Sequence, residues 1–279
     1  MAIRNIKLTI AYDGSKYHGW QIQPARRTIQ GELIEAISEL LGWRVRVCGA
    51  SRTDAGVSAL GQIALIQIDS PIPTERLAKV INGRLPPDIT VCEAVEVPLG
   101  FNVIGAVKRK LYRYTIFTGS VQPVLQINHC WHILEKLDTA AMDAAAKTLV
   151  GTRDFKSFAS GADRRENTVR TIFRCDVTSS LVTRDASCDN KTLDSCFRRN
   201  DSTQYASRIT HHDDDWIYID VEGDSFLYNM VRNIVGTLVE VGRGRWKPEK
   251  VLEILEARDR TAAGPLAPAA GLCLMRIEY

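Results

Sequence analysis

From Ile6 to Tyr12 apolar and polar residues alternate, the period-two pattern of a half-buried strand. Ile29, Leu33, Ile34, Ile37, Leu40 and Leu41 then fall on one stripe at a 3.6-residue period, which predicts a helix. Thr28, with Gly31 and Glu32 behind it, forms an imperfect capping box at its start. Strands are expected over 44–48 and 62–68, with the loop 50–60 between them. A short helical pattern ends at Val80 and Ile81, and Leu85-Pro86-Pro87-Asp88 forces an extended turn before a strand over 89–95.

The second part repeats this rhythm: strands over 111–117, 168–177 and 216–221, an Ala-rich helix over 137–149, and a strongly apolar helix over 226–241. The order predicts an α+β chain of two ferredoxin-like or RNP-like halves, residues 1–105 and 106–279. Each half is an antiparallel sheet with helices on one face, and the two sheets join. The stretch 179–215 mixes Ser, Thr, Asn, Asp and Arg without a sustained period, and reads as a polar insertion between two strands.

Composition narrows the class without naming a chemistry. Hydrophobic residues make up 45% of the chain and charged residues 25%, as in ordinary globular proteins. A formal charge of +3 is too mild to mark a nucleic-acid binder, because that footprint depends on clustering. Charge and polarity precede any signal-like apolar stretch, and no segment reaches the roughly 20 apolar residues of a membrane span, so a cytoplasmic protein is expected. Cys48, Cys92, Cys130, Cys175, Cys188, Cys196 and Cys273 are odd in number and contain no C-x-x-C pair, and His211-His212 has no second ligand pair at metal spacing. Neither a disulfide framework nor a metal site is indicated. No Gly-rich phosphate motif occurs, which argues against a nucleotide cofactor; no cofactor is expected.

The loop Ala50-Ser51-Arg52-Thr53-Asp54-Ala55-Gly56-Val57 sets a carboxylate between an arginine and a glycine. Alone, an Asp-Ala-Gly turn is usually only a turn. This one resembles the G-R-T-D-A-G-V-H-A loop of the tRNA pseudouridine synthase A (TruA) family. The resemblance extends through Tyr12-Asp13-Gly14, Gly19-Trp20-Gln21, Thr28 to Glu32, Leu85 to Ile89 and Lys108 to Tyr114. It continues through Gly151-Thr152, Asp154-Phe155, Phe226 to Tyr228, Met230 to Asn233, Ala263-Gly264 and Ala267-Pro268. Ordered motifs therefore cover nearly the whole chain outside the polar insertion.

The resemblance implies isomerisation of a uridine already in RNA: the C1′–N1 bond breaks, the base turns, and C5 bonds to C1′. It places the target in the anticodon stem-loop of tRNA, at positions 38 to 40, and implies a homodimer with tRNA, not DNA, as partner. The active-site cleft would lie between the halves. Asp54 matches the catalytic carboxylate, able to serve as nucleophile or to stabilise a cationic sugar. Tyr112 matches the tyrosine that packs on the extruded base, and Arg232 the arginine that pairs with the aspartate and favours its charged form. Arg232 would share a helix face with Tyr228 and Gly236. Arg52 matches a residue holding the backbone of the flipped nucleotide. Local basic clusters are candidates for phosphate contacts: Arg26-Arg27, Lys108-Arg109-Lys110 with Arg113, Arg164-Arg165 with Arg170, and Arg243 with Arg245.

Several family positions are changed. Ser51 stands for Gly, Ser58 for His, Asn102 and Ile104 replace the His and Arg of F-H-A-R, Arg153 replaces a His, and Leu266 a Thr. The chemical centre is intact while RNA docking is altered. The expectation is thus an active tRNA isomerase. A catalytically weakened tRNA-binding protein of the same fold, acting as a folding chaperone, is the alternative. A zinc deaminase lacks its H-x-E and C-x-x-C.

Overall fold

The computed structural model describes residues 3–179 and 215–279, so the expected polar insertion lies, apart from its end residues, outside the described residues. Its strands and helices follow in the order β1 (Arg4–Tyr12), α1 (Ile29–Leu41), β2 (Val47–Gly49), β3 (Ser58–Ile68), α2 (Thr74–Asn82) and β4 (Ile89–Val97). Next come β5 (Arg109–Phe117), β6 (Trp131–His132), α3 (Thr139–Lys147), β7 (Gly151–Asp154) and β8 (Val169–Ser179). The chain closes with β9 (Trp216–Gly223), α4 (Met230–Gly242), α5 (Lys250–Ala257) and β10 (Leu272–Glu278).

These elements form a mixed α/β structure around one ten-stranded sheet ordered β4-β1-β3-β10-β5-β9-β8-β7, with β2 on β3 and β6 on β5. Alternation decides which side faces inward. Ile6, Leu8, Ile10 and Tyr12 of β1 are buried together, as are Tyr112, Tyr114 and Ile116 of β5 and Ile217, Ile219 and Val221 of β9. Facing positions match across the ladder: Tyr112 opposes Val221 and Leu274, and Tyr114 opposes Ile219 and Leu272. Neighbouring Arg113 falls on the other face, where Asp220 directly opposes it.

Antiparallel pairing was expected within each half; β5 and β6 are instead parallel, and β10 pairs with β3 in parallel as well, at a joint for which no direction was expected. β10, which carries no strong period in sequence, enters the middle of the sheet with β3 on one side and β5 on the other. The helix expected over 226–241 begins only at Met230, because Asn229 adopts a left-handed conformation (φ 61°) that ends the preceding turn. Tyr228 therefore lies outside the helix that carries Arg232 and Gly236. Inside that helix Gly236 permits a close approach: a Cβ there would sit 1.7 Å from the Pro265 carbonyl oxygen. Thr28 caps α1 as expected, its hydroxyl accepting from the Gly31 amide. No helix among the described residues is long and apolar enough to cross a membrane.

Candidate active site

The loop carrying Asp54 is fixed from below before any chemistry is considered. Tyr12 and Thr53 share a buried hydroxyl–hydroxyl bond of 2.8 Å, Trp20 N donates to Thr53 O at 3.0 Å, and Gly56 N to Tyr17 O at 3.2 Å. Gln62, fully buried in β3, donates to Ser51 O at 2.8 Å while its own oxygen accepts from Ser51 N at 3.3 Å. Gly19 makes the dock possible, since a Cβ there would lie 2.6 Å from Thr53 O and its φ is +85°. Asp54 is thereby presented on a tight, fully bonded loop.

Across from it stands Arg232. Its Nε donates to Ala267 O at 2.7 Å and its Nη1 to Asn229 Oδ1 at 3.2 Å, contacts that hold the guanidinium without help from the carboxylate. Nη1 then lies 3.8 Å from Asp54 Oδ2, an ion pair in which the arginine is 14% and the aspartate 27% exposed. Burial raises the Asp54 pKa above the ordinary carboxylate value, and the Arg232 charge opposes that rise.

Both side chains line a cavity of about 920 Å³, together with Tyr112, Lys110, Arg52 and Phe226. Buried Tyr112 packs edge-on against Phe226, ring centroids 5.2 Å apart. Burial pushes its phenol up to about 12 despite the bond to Ser51, so the hydroxyl is neutral at physiological pH. Ser51 Oγ lies 3.1 Å from that hydroxyl and accepts from Lys110 Nζ at 3.3 Å; Lys110 also donates to Ala50 O at 3.2 Å. Burial and nearby Arg165 bring Lys110 down to about 8.

The candidate phosphate-binding residues separate into groups. Arg52 and Lys110 line the cavity, as does Arg165, which is nevertheless tied to Asp163 at 2.6 Å. Arg26 is exposed and reaches His18, itself a cavity residue, at 3.4 Å; Lys108 is exposed at the start of β5. The others are not gathered here. Arg27 is paired with Glu32 and lies over the Tyr17 ring, and Arg109 faces Glu222 and the Phe173 ring. Arg113 grips Asp220 through two bonds of 2.8 and 2.9 Å on the opposite sheet face. Arg170 is turned onto the carbonyls of Asn167 and Val169, Arg243 pairs with Glu135 and Glu240, and Arg245 with Glu240. Sequence clustering could not show these carboxylate partners, of which Glu222, Asp220 and Glu135 are distant in sequence.

Two of the changed positions have local explanations. Ser58 Oγ accepts from Gly14 N at 3.1 Å, and Asn102 Oδ1 accepts from Gly105 N at 2.8 Å to close a turn. Ile104 is exposed on the cavity wall. Sequence reasoning missed Asn229 and the Ala267 carbonyl as the holders of Arg232; an Asn immediately before an apolar run was a visible helix-start signal, whereas a backbone carbonyl leaves none. Among the described residues no group of three or more His, Cys, Asp or Glu side chains could hold a metal ion.

The family model described as tRNA pseudouridine synthase matches residues 8–104 and 145–279. A tRNA pseudouridine synthase A from Pelobacter propionicus is 41% identical over 277 residues, covering 99% of this chain and 100% of the relative. One from Moorella thermoacetica is 40% identical over 276 residues, 98% and 99% of the two chains, and one from Thermoanaerobacter sp. is 38% identical over 277 residues, 99% and 100%. The matched segments carry the Asp54 loop and the helix with Arg232, and with relatives of this identity aligned from end to end, the chain belongs to the tRNA pseudouridine synthase family.

Proposed function

We propose that this protein isomerises uridine to pseudouridine in the anticodon stem-loop of tRNA, with Asp54 as its catalytic carboxylate. The observation that carries the reading is the Asp54–Arg232 pair at 3.8 Å inside a cavity that also contains Tyr112. Breaking C1′–N1 leaves positive charge at the sugar, and the reaction needs an anionic oxygen to attack or stabilise that centre. Arg232, held independently by Asn229 and Ala267, keeps Asp54 ionised and aimed despite its burial. A stem-loop base must leave its stack to reach such a site, and Tyr112 and Phe226 supply apolar surface against it.

Lys110 and Ser51 form a chain of hydrogen bonds to the Tyr112 hydroxyl. An ammonium group has donors only. Ser51 Oγ accepts from Lys110 and shares a hydroxyl–hydroxyl bond with Tyr112 in which either oxygen can donate; with Ser51 as the donor, the phenol proton is free for the bound base. In the final step, with C1′–N1 broken and C5–C1′ formed, C5 gives up its hydrogen as a proton and N1 gains one, so that the product is an isomer of the uridine.

The chain divides near residue 105 into two ferredoxin-like halves, β4-β1-β3 and β5-β9-β8-β7, with β10 between them and the cavity as the cleft they share. It works in the cytoplasm as a homodimer, to which the exposed apolar side chains Val121, Val124, Leu125 and Leu134 offer surface for a second copy. A chaperone without catalysis is disfavoured, since RNA binding alone gives no reason to aim a buried carboxylate at a cation. Tritium release from C5-labelled uridine in a tRNA transcript, followed by mapping of the product, tests the proposal. No release under single-turnover conditions overturns the activity, and release from uridines outside the anticodon arm overturns the target.

A further inference from the structure

Many arginines away from the cavity are already matched to carboxylates. Arg27, Arg109, Arg113, Arg174, Arg243, Arg245 and Arg276 each have an Asp or Glu within ion-pair distance. A phosphate reaching one of these must compete with an acid in place. A second cavity, of about 610 Å³, is lined by Arg44, Arg46 and Arg52, and no Asp or Glu lines it. All three arginines are exposed, and none makes an ion pair or a side-chain hydrogen bond among the described residues. Arg44 and Arg46 alternate with buried Val45 and Val47, so the extended chain entering β2 anchors its apolar side in the core and projects both cations outward.

This groove is continuous with the catalytic cavity. Gln21, Gly49, Arg52 and Ile104 line both. A nucleotide extruded into the Asp54 cavity remains attached to its strand, and its flanking phosphates must leave along a wall. The groove offers an acid-free wall with free guanidinium groups, which suit phosphate oxygens through paired N–H donors.

We propose that the Arg44–Arg46–Arg52 groove binds the RNA backbone on one side of the nucleotide held in the catalytic cavity. The proposal rests on the reading of that cavity as a uridine site in tRNA. Arg44 and Arg46 lie outside the chemistry and act on binding, whereas Arg52 bridges the two cavities.

The test is a salt titration of tRNA-transcript binding by the full chain, comparing the unchanged protein with the Arg44→Gln/Arg46→Gln double variant. An Arg76→Gln/Lys79→Gln variant controls for net charge, since both residues are exposed on α2 and line neither cavity. Each single-strand phosphate contact contributes about 0.7 to the slope of log affinity against log salt. The groove variant is expected to lose about 1.4 of slope, bind roughly tenfold more weakly at moderate salt, and keep its single-turnover rate at saturating tRNA. The control should stay near the unchanged protein. An unaltered slope, an equal loss in the control, or a fall in saturating rate without weaker binding overturns the proposal, as does an unchanged protein that fails to bind tRNA. Product formation by the unchanged protein reads the catalytic assignment separately, so a silent groove and a wrong reaction are distinguishable.

Discussion

Replacing Arg232 with Met probes how a half-buried carboxylate stays ionised. Met keeps an unbranched apolar stem in the space of the arginine and removes the charge. At 3.8 Å and an effective dielectric constant of about 20, the lost attraction is about 4 kcal/mol. That corresponds to about a thousandfold in rate and is a ceiling, because Asp54 retains some solvent exposure. Burial already raises the Asp54 pKa, and the Arg232 charge opposes that rise, so the variant should hold a proton on Asp54 to higher pH. Its acid limb should move upward. Single-turnover rates at saturating tRNA, taken at pH values below the Lys110 transition near 8, should fall steeply at the acid end and recover partly as pH rises. Arg232→Lys should lie between the two, retaining charge and losing the fork that reaches Asn229 and Ala267. Full activity in Arg232→Met at every pH, or a loss of equal size at every pH, would refute the electrostatic role; the second outcome would leave a purely geometric one.

Asp54→Asn should abolish turnover and leave tRNA binding intact. It should also raise the melting temperature at neutral pH: the folded-state pKa is raised, so this group's stabilisation is present in acid and lost as pH rises through the folded value. The melting gain should vanish in acid, which thermal unfolding at two pH values checks. Lys110→Met should remove a basic limb near pH 8, where the ammonium loses its positive charge beside the Ser51–Tyr112 bond; a limb that persists assigns it to another group. Ser51→Ala should slow the saturating rate by about three- to tenfold, the value of one hydrogen bond, with KM nearly unchanged. Gly236→Ala should cost about 1–3 kcal/mol by overpacking against Pro265, and should slow catalysis further by displacing the segment whose Ala267 carbonyl holds Arg232. Melting curves paired with single-turnover rates separate those two losses.

Strands β1 and β4 and helix α1 were legible because local period and burial agree there, as in Ile6 to Tyr12 and Ile29 to Leu41, whereas the strand expected over 44–48 is only Val47–Gly49 and β3 begins at Ser58, inside the expected loop. The Asp54 loop was legible as a motif, and Arg232 and Tyr112 through resemblance. What escaped depends on long-range geometry. Arg113 and Lys110 look alike in sequence, yet strand alternation turns one onto Asp220 and the other into the cavity. Arg44 and Arg46 drew no notice because their importance lies in lacking a carboxylate partner. The start of α4 was misplaced because Phe226-Leu227-Tyr228 carries the apolar run past Asn229, so the helix-start signal of that residue, whose φ is positive, was read through.

The place of β10 also governs how the molecule comes into being. Its neighbours β3 and β5 precede it by long stretches of chain, and sheets that depend on such distant pairings form slowly. Until β10 arrives, β3 and β5 each expose backbone donors and acceptors along the edge it will occupy, a template for self-association during synthesis or refolding. The same late strand brings Leu272 to the cavity wall. A partly folded chain can therefore display the Asp54 loop before Tyr112 and Lys110 of β5 are joined to it through β10, so the cavity that holds all three is completed only with that strand.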